Sequence, residues 1–400
     1  MIARSIRSSC FGSGRTDSHN VCVADLNCAN PARCGRFLVA VLMAIGLWMP
    51  TSTLAASPMT VARGKKADAP KQPQVAVAPD NTVHLVYGLG DDVYHAISKD
   101  QGKSFSKPQK AFTCPNMSLG MRRGPRIVSS PAGPVVTAIG GPQGKGRDGD
   151  ILAWRNSEGG EWKKLGRVND VEGSAREGLH NMTSGAEGAL WCCWLDLRDK
   201  KTELYVAKSS DGGESWDANR LAYRSPDGSI CECCHPSIAA GAKGSIHLLF
   251  RNQLGGKRDM YVVTSEDGER FGDARPLSQM QWMLNACPMD GGMIAVATDQ
   301  TVWSAYRQKD QLYLSDGRNE AALGRGEQPT IACLKNQPLV LWTKGRVGEL
   351  MLRAGDAKPR RLGSDARDPV IASDVSGVFA VAAWEAISDE GTVIRVLPVP

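Results

Sequence analysis

Beyond residue 57 the 400-residue chain has no stretch in which apolar residues recur at the three-to-four spacing of an amphipathic helix. That absence excludes helical bundles and alternating strand–helix architectures, and it leaves an all-β chain. Long apolar runs are missing too, apart from FLVAVLMAIGLWMP at residues 37–50. At 14 residues this run falls short of the roughly 20 that span a bilayer. Charge of one sign is scarce. The formal net charge is +6, too mild to argue for a nucleic-acid partner. Tyrosine is sparse at seven residues, and none follows Tyr313.

The N-terminus points to export. Arg33 and Arg36 precede the apolar run, and small residues follow it in TSTLAAS, with Thr53-Leu54-Ala55 or Leu54-Ala55-Ala56 as a cleavage site. Positive, then apolar, then small is the order of a secretory signal peptide, assigned here to residues 1–56 with its h-region at 37–50. The expected location is periplasmic or secreted, with an uncleaved N-terminal membrane anchor as the alternative. Cleavage after Ala56 removes five Arg and two acidic residues, leaving a net charge of +3 and no expected membrane attachment. It also removes four cysteines. The eight that remain, Cys114, Cys192, Cys193, Cys231, Cys233, Cys234, Cys287 and Cys333, form an even set compatible with disulfides in an oxidising compartment.

One phrase then recurs: a short apolar strand often opened by Pro, a Gly or Asp turn, an alternating strand ending in an aromatic, a polar loop and a third strand. The clearest copy runs from Pro236 to Phe271, and others begin near Gln74, Pro125 and His180. Three more worn copies follow, making seven units. A single antiparallel meander leaves apolar faces and open edges, which radial repetition covers. The expectation is a β-propeller over residues 74–400, seven-bladed, with six blades and one irregular unit as the alternative. Residues 57–73 read as a leader.

Several units carry a turn of the form S-x-D-x-G-x-x-[FW]. Ser98 to Phe105 and Ser209 to Trp216 are complete copies. Ser265 to Phe271 and Asn156 to Trp162 are one residue short. Asp and Ser side chains can hydrogen-bond the turn backbone, Gly supplies an unusual backbone conformation, and the aromatic buries itself between sheets. Through these turns the chain resembles the Asp-box (BNR) repeat proteins, whose best-known members are sialidases. It is most similar to bacterial exported sialidase-like proteins, through AREGLH at 175–180, CECCHPS at 231–237 and ACPMDGG at 286–292.

In a propeller, the loops that lead into each first strand share a face with the loops joining second and third strands. Those loops bring Arg122-Arg123, Arg126, Arg176-Glu177, His180, the 231–235 stretch, Asp290, Glu327-Gln328 and Arg367-Asp368 to one mouth of the channel. Arg198, Arg251 and Arg307 join them from the second-to-third-strand loops. The resemblance implies an arginine cluster for a carboxylate substrate, which arginine suits through its planar fork, so Arg126, Arg176, Arg198, Arg251 and Arg307, with His180, are the expected substrate-binding residues. The resemblance implies glycoside hydrolysis of an anionic saccharide, with Glu177, Asp290 and Tyr306 as catalytic candidates and a glycan or other anionic small molecule as partner of a monomeric protein. Two departures stand against a sialidase proper. The expected Arg-Ile-Pro strand is Arg126-Ile127-Val128 here, and the last two units lack the expected nucleophilic Tyr. A non-catalytic glycan- or protein-binding propeller is the alternative.

Cys231, Cys233, Cys234, His235 and Cys287 also form a set of metal ligands. Thiolate and imidazole favour Cu or Zn, although C-x-C-C-H is not a standard zinc-knuckle spacing and no cofactor is demanded. The competing use is structural, with Cys231, Cys233 or Cys234 bonded to Cys287 or Cys114. Cys333 reads as plain core, and one thiol of the Cys192-Cys193 pair as a small hydrophobe.

Overall fold

A computed structural model describes residues 57–144, 146–157 and 160–399. The apolar run and cleavage site of the expected signal peptide lie outside them, as do Glu158 and Gly159 of the turn from Asn156 to Trp162. Among the described residues no helix is long and apolar enough to cross a membrane.

The chain is all β. Five consecutive four-stranded antiparallel meanders open with the strands Lys71–Val77, Arg126–Ser130, His180–Ser184, Ser237–Ala240 and Met293–Val296. The remainder is one seven-stranded sheet, from Glu327–Leu334 through Gln337–Thr343, Gly348–Ala354, Arg360–Ser373, Ala380–Ser388 and Gly391–Val399 to the N-terminal strand Met59–Gly64. The 14-residue strand Arg360–Ser373 serves twice: its first half pairs with Gly348–Ala354 and its second half with Ala380–Ser388. Residues 57–73, expected as a leader, therefore hold a sheet strand and the opening of the first meander. The unpaired edge of Gly391–Val399 accounts for the former, since its backbone groups need partners.

The strands that open each meander pack side by side in a closed cycle. Lys71–Val77 lies on Arg126–Ser130, the succession continues through His180–Ser184, Ser237–Ala240, Met293–Val296 and Glu327–Leu334 to Arg360–Ser373, and that strand returns to Lys71–Val77. Their apolar residues, including Val77, Ile127, Ile238, Ile294, Ile331 and Ile371, line an axial cavity of about 520 Å³.

Alternation along the strands explains the packing between meanders. In Leu190–Asp196 every residue is buried. Trp191, Cys193 and Leu195 enter one apolar core, while Leu190, Cys192 and Trp194 enter the next. Successive side chains point to opposite faces, so one strand fills two layers. Both adjacent thiols act as small hydrophobes.

The polar turns close as their composition suggests. Ser98 Oγ donates to Asp100 Oδ1 at 2.7 Å and accepts from Gly102 N–H at 2.8 Å, and Ser104 N–H reaches Asp100 Oδ1 at 2.8 Å. Ser209, Asp211, Gly213 and Ser215 repeat the pattern. Phe105 and Trp216 pack against the cores of neighbouring layers.

Candidate functional site

At the end of the channel where the first strands begin, the backbone takes an unusual turn. Gln72, Gln328 and Asp368 have φ of +55°, +56° and +48°. Each stands directly before a proline, Pro73, Pro329 or Pro369, and the strand register shifts at each point. Left-handed backbone in a non-glycine residue costs energy, and a fold retains it where something else holds it in place. Here side-chain bonds do so. Gln72 donates through Nε2 to Asp368 Oδ2 at 2.5 Å, and its N–H to Glu385 Oε1 at 2.8 Å. The Asp368 N–H donates to Gln328 Oε1 at 2.8 Å, and the Gln328 N–H to Asp290 Oδ2 at 3.0 Å. Arg307 continues the circuit, 3.4 Å from Asp290 Oδ2 and 3.1 Å from Glu327 Oε1.

Three further arginines converge there, all buried. Arg126 donates to the carbonyls of His180, Gly124, Pro125 and Arg122. Arg251 donates to the carbonyls of Asp290, Arg307 and Arg258, and it faces the Trp282 ring with Arg307, at 5.1 and 5.6 Å from the centroid. Arg122 donates to Pro369 O at 3.1 Å and lies 3.5 Å from Asp368. His235 is buried among these cations, and both of its ring nitrogens lack partners. Arg122 Nε and Nη2, Asp290 Oδ1 and His180 Nδ1 are also buried without hydrogen bonds. Burial and then the arginines push the His235 imidazole well below its usual range, and burial with Arg126 does the same to His180. Both rings are neutral at pH 7.

Beside this buried cluster opens a cleft of about 550 Å³, lined by the 116–121 loop, Asp91, Arg123, Gly146, Arg176, Glu177 and Met289. Arg123 Nε donates to the Glu177 carbonyl at 2.7 Å, and Gly178 lies so close to Ser118 that a Cβ there would meet its side chain at 2.7 Å. The loops are thus packed together. Burial raises the Glu177 carboxyl pKa, Arg123 and Arg176 oppose that, and Glu232 adds to it. A half-buried carboxyl flanked by guanidinium groups can bind an anion and donate a proton.

The cysteines form a second feature. The Sγ atom of Cys231 lies 3.3 Å from that of Cys234 and 3.7 Å from that of Cys233, and Arg258 Nη1 donates to Cys231 at 3.2 Å. All three sulfurs lie within 4.8 Å of one another. Hydrogen bonds from Cys233 and Cys234 favour the Cys231 thiolate, with Arg251 assisting, whereas burial pushes the Cys234 thiol up. His235 is outside this group, its ring turned among the arginines, and Cys287 is exposed on the loop that follows Arg275–Pro276. All eight cysteines among the described residues are free thiols. The disulfides expected from Cys231, Cys233 or Cys234 to Cys287 or Cys114 are not formed. Cys114 sits instead in an apolar core with Phe112 and Met117, its thiol pushed up to about 12 by burial.

Other expected residues are placed as follows. Arg126, His180, Arg251, Asp290 and Arg307 gather at the mouth, and Arg176 and Glu177 line the cleft. Arg198 is committed elsewhere, paired with Asp196 at 2.9 Å and Asp170 at 3.0 Å and stacked on Tyr205. Tyr306 is fully buried, donates to Glu320 near an outer strand and packs with Leu249 and Ile294. Its ring faces the layer between two meanders, away from the mouth, because the alternation along Val302–Gln308 turns it there. Gln72 and Glu385 were not expected. A polar residue before a strand-opening proline is the signal that marks Gln72, His235, Gln328 and Asp368, while Gly124 stands before Pro125; Glu385 had no such signal.

No family model matches the chain, and no curated protein matches it. Solved structures do. An α-L-arabinanase of Penicillium chrysogenum complexed with arabinobiose is 12% identical over 86% of this chain and 97% of that one, with a TM-score of 0.53. A PL25 ulvan lyase bound to a GlcA(1-4)Rha3S fragment is 9% identical over 86% and 98%, with a TM-score of 0.55. A leech intramolecular trans-sialidase complexed with 2,7-anhydro-Neu5Ac is 11% identical over 87% and 70%, with a TM-score of 0.51. At these identities the likeness is one of fold, an all-β assembly of antiparallel meanders consistent with a β-propeller.

Proposed function

We propose that the protein is an exported, seven-bladed propeller of the Asp-box kind that binds an anionic saccharide in the cleft beside the channel mouth and hydrolyses it. The observation that carries this reading is the cleft itself, where a carboxyl with a raised pKa stands between Arg123 and Arg176. The cycle of seven opening strands, with Met59–Gly64 completing the last, supports seven blades. The fold's likeness to structures solved with arabinobiose and with a uronate–sulfate fragment supports a saccharide ligand.

In this reading Arg123 and Arg176 hold the carboxylate or sulfate of the sugar. Glu177, protonated over a wider pH range than an exposed glutamate, donates a proton to the leaving oxygen. Glu232, exposed and close enough for its charge to act on Glu177, is the second carboxylate that glycoside hydrolysis requires. Asp290 does not touch the substrate. Its carboxylate receives the Gln328 N–H and Arg307, so it positions the arginine at the mouth.

The test is turnover and binding on a panel of uronate-, sialate- and sulfate-bearing oligosaccharides. Glu177→Gln is expected to lower kcat by at least about 100-fold while binding persists. Arg176→Ala should weaken binding. Wild-type activity should decline as pH rises through the pKa of Glu177, because the proton donor is then lost. Binding without turnover would instead identify a lectin-like propeller, a reading favoured by the absence of Tyr306 from the site. The lack of both binding and turnover would overturn the saccharide reading.

A further inference from the structure

The three thiols at residues 231, 233 and 234 have no task in the saccharide reading, and their arrangement is unlike that of core cysteines. They come from one four-residue loop, so little chain entropy opposes bringing them together. Their sulfurs are too far apart to be bonded, since a disulfide needs about 2.05 Å. They are nevertheless close to the spacing of ligands on one ion: a Zn–S distance of about 2.3 Å implies sulfurs about 3.8 Å apart. The observed separations of 3.3 and 3.7 Å require only small movements.

The surroundings suit a charged cluster. Arg258 donates to Cys231 at 3.2 Å, and Arg251 lies alongside, its carbonyl accepting from the Cys231 N–H at 3.0 Å. Their two positive charges offset the excess negative charge of three thiolates around a monovalent cation. Cys231 and Cys234 are buried while Cys233 is partly exposed, which leaves one side for entry. The nearest imidazole, His235, belongs to the arginine cluster, so nitrogen does not complete the set. Three sulfurs without a fourth ligand match a soft ion of low coordination number better than tetrahedral zinc.

We infer that Cys231, Cys233 and Cys234 form a trigonal thiolate site for Cu(I), with Arg258 as its second-layer hydrogen-bond donor. The loop shares Glu232 with the saccharide reading, but none of its three sulfurs lines the cleft, so the site stands whether or not the protein acts on saccharides.

The experiment is titration of reduced, processed protein with Cu(I) against the chelator bathocuproine disulfonate, followed by X-ray absorption. One Cu(I) per chain with three sulfur neighbours is expected. Affinity should fall at least 100-fold in Cys231→Ser and in Cys234→Ser, and remain unchanged in Cys333→Ser and Cys287→Ser. Melting curves of the variants distinguish lost ligation from lost folding, and Arg258→Met, which keeps all three sulfurs, should weaken Cu(I) by a smaller factor. A Zn²⁺ titration run alongside separates the ions. Tight Zn²⁺ binding that depends on Cys287 would replace the proposal with a four-thiolate zinc site. Cu(I) affinity unaffected by Cys231→Ser and Cys234→Ser, or a Cys231–Cys234 disulfide that persists in the protein as isolated and reforms in preference to metal binding, would overturn it.

Discussion

Each histidine among the described residues is held neutral, and burial is the largest cause in every case. Burial lowers His84 to about 4 and His95 to about 3, and the two rings stack with Nδ1 and Nε2 3.0 Å apart. His180, His235 and His247 are lowered as well. In the unfolded chain these imidazoles take up protons below about pH 6.5, while the buried ones do not, so stability present above that pH is lost as pH falls. Raised pKa values at Glu177 and Glu385 work in the opposite direction over the range above about pH 4.5, but they are two groups against five. The urea midpoint should therefore fall from pH 7 to pH 5, with net proton uptake on unfolding. A flat profile would contradict neutral burial. Arg126 is a second residue with a clear consequence: its loss leaves four carbonyls short of a donor. Arg126→Ala should cost about 3 kcal/mol in equilibrium unfolding, well above the cost of truncating the exposed Arg325.

The turns between third and fourth strands show how an element depends on one backbone conformation. Gly102 has φ of +86°, and a Cβ there would meet Val381 Cγ2 at 2.8 Å. Gly90, in the turn between the second and third strands of the first meander, is also left-handed, at +59°, but nothing lies within 4 Å of its Cβ position. Gly90→Ala should cost about 1 kcal/mol from backbone strain alone. Gly102→Ala adds the clash with the last sheet and should cost about 1–2 kcal/mol more. Thermal melts of the two variants measure the difference, and equal costs would show that Val381 moves aside freely. At the other ends of the sheets, the left-handed residues before Pro73, Pro329 and Pro369 turn polar side chains into the mouth. One local device thus supplies Gln72, Gln328 and Asp368 from three separate strands.

Across the molecule, the first and last parts of the described chain are bound in one sheet. Met59–Gly64 pairs with Gly391–Val399, and Lys71–Val77 packs on Arg360–Ser373. Met59–Gly64 covers the edge of Gly391–Val399 and becomes the outer strand of the sheet, whereas without it the longer edge of Gly391–Val399 is presented to other molecules. Protein beginning at residue 66 should therefore melt at a lower temperature than protein beginning at residue 57, and associate on storage. Size-exclusion chromatography and calorimetry test this. Unchanged melting and a monomeric profile would mean that the pairing contributes nothing to closure.

The repeat, the alternation of its strands and its glycine turns were sufficient for the all-β class, because a period of two and a turn chemistry are local properties. They also placed the arginine-rich loops on one face, and Arg126, Arg251, Asp290 and Arg307 do meet there. Which of these residues reach the mouth was decided only in three dimensions. Tyr306 and Arg198 have the right chemistry and the wrong direction, since one shares a buried layer with Glu320 and the other is held by Asp196 and Asp170. Gln72 and Glu385 lie 313 positions apart and become neighbours only when the ring closes. A sequence carries the type and spacing of its polar groups. The partners that bury, neutralise or free each one come from other strands, and only the tertiary structure brings those strands together.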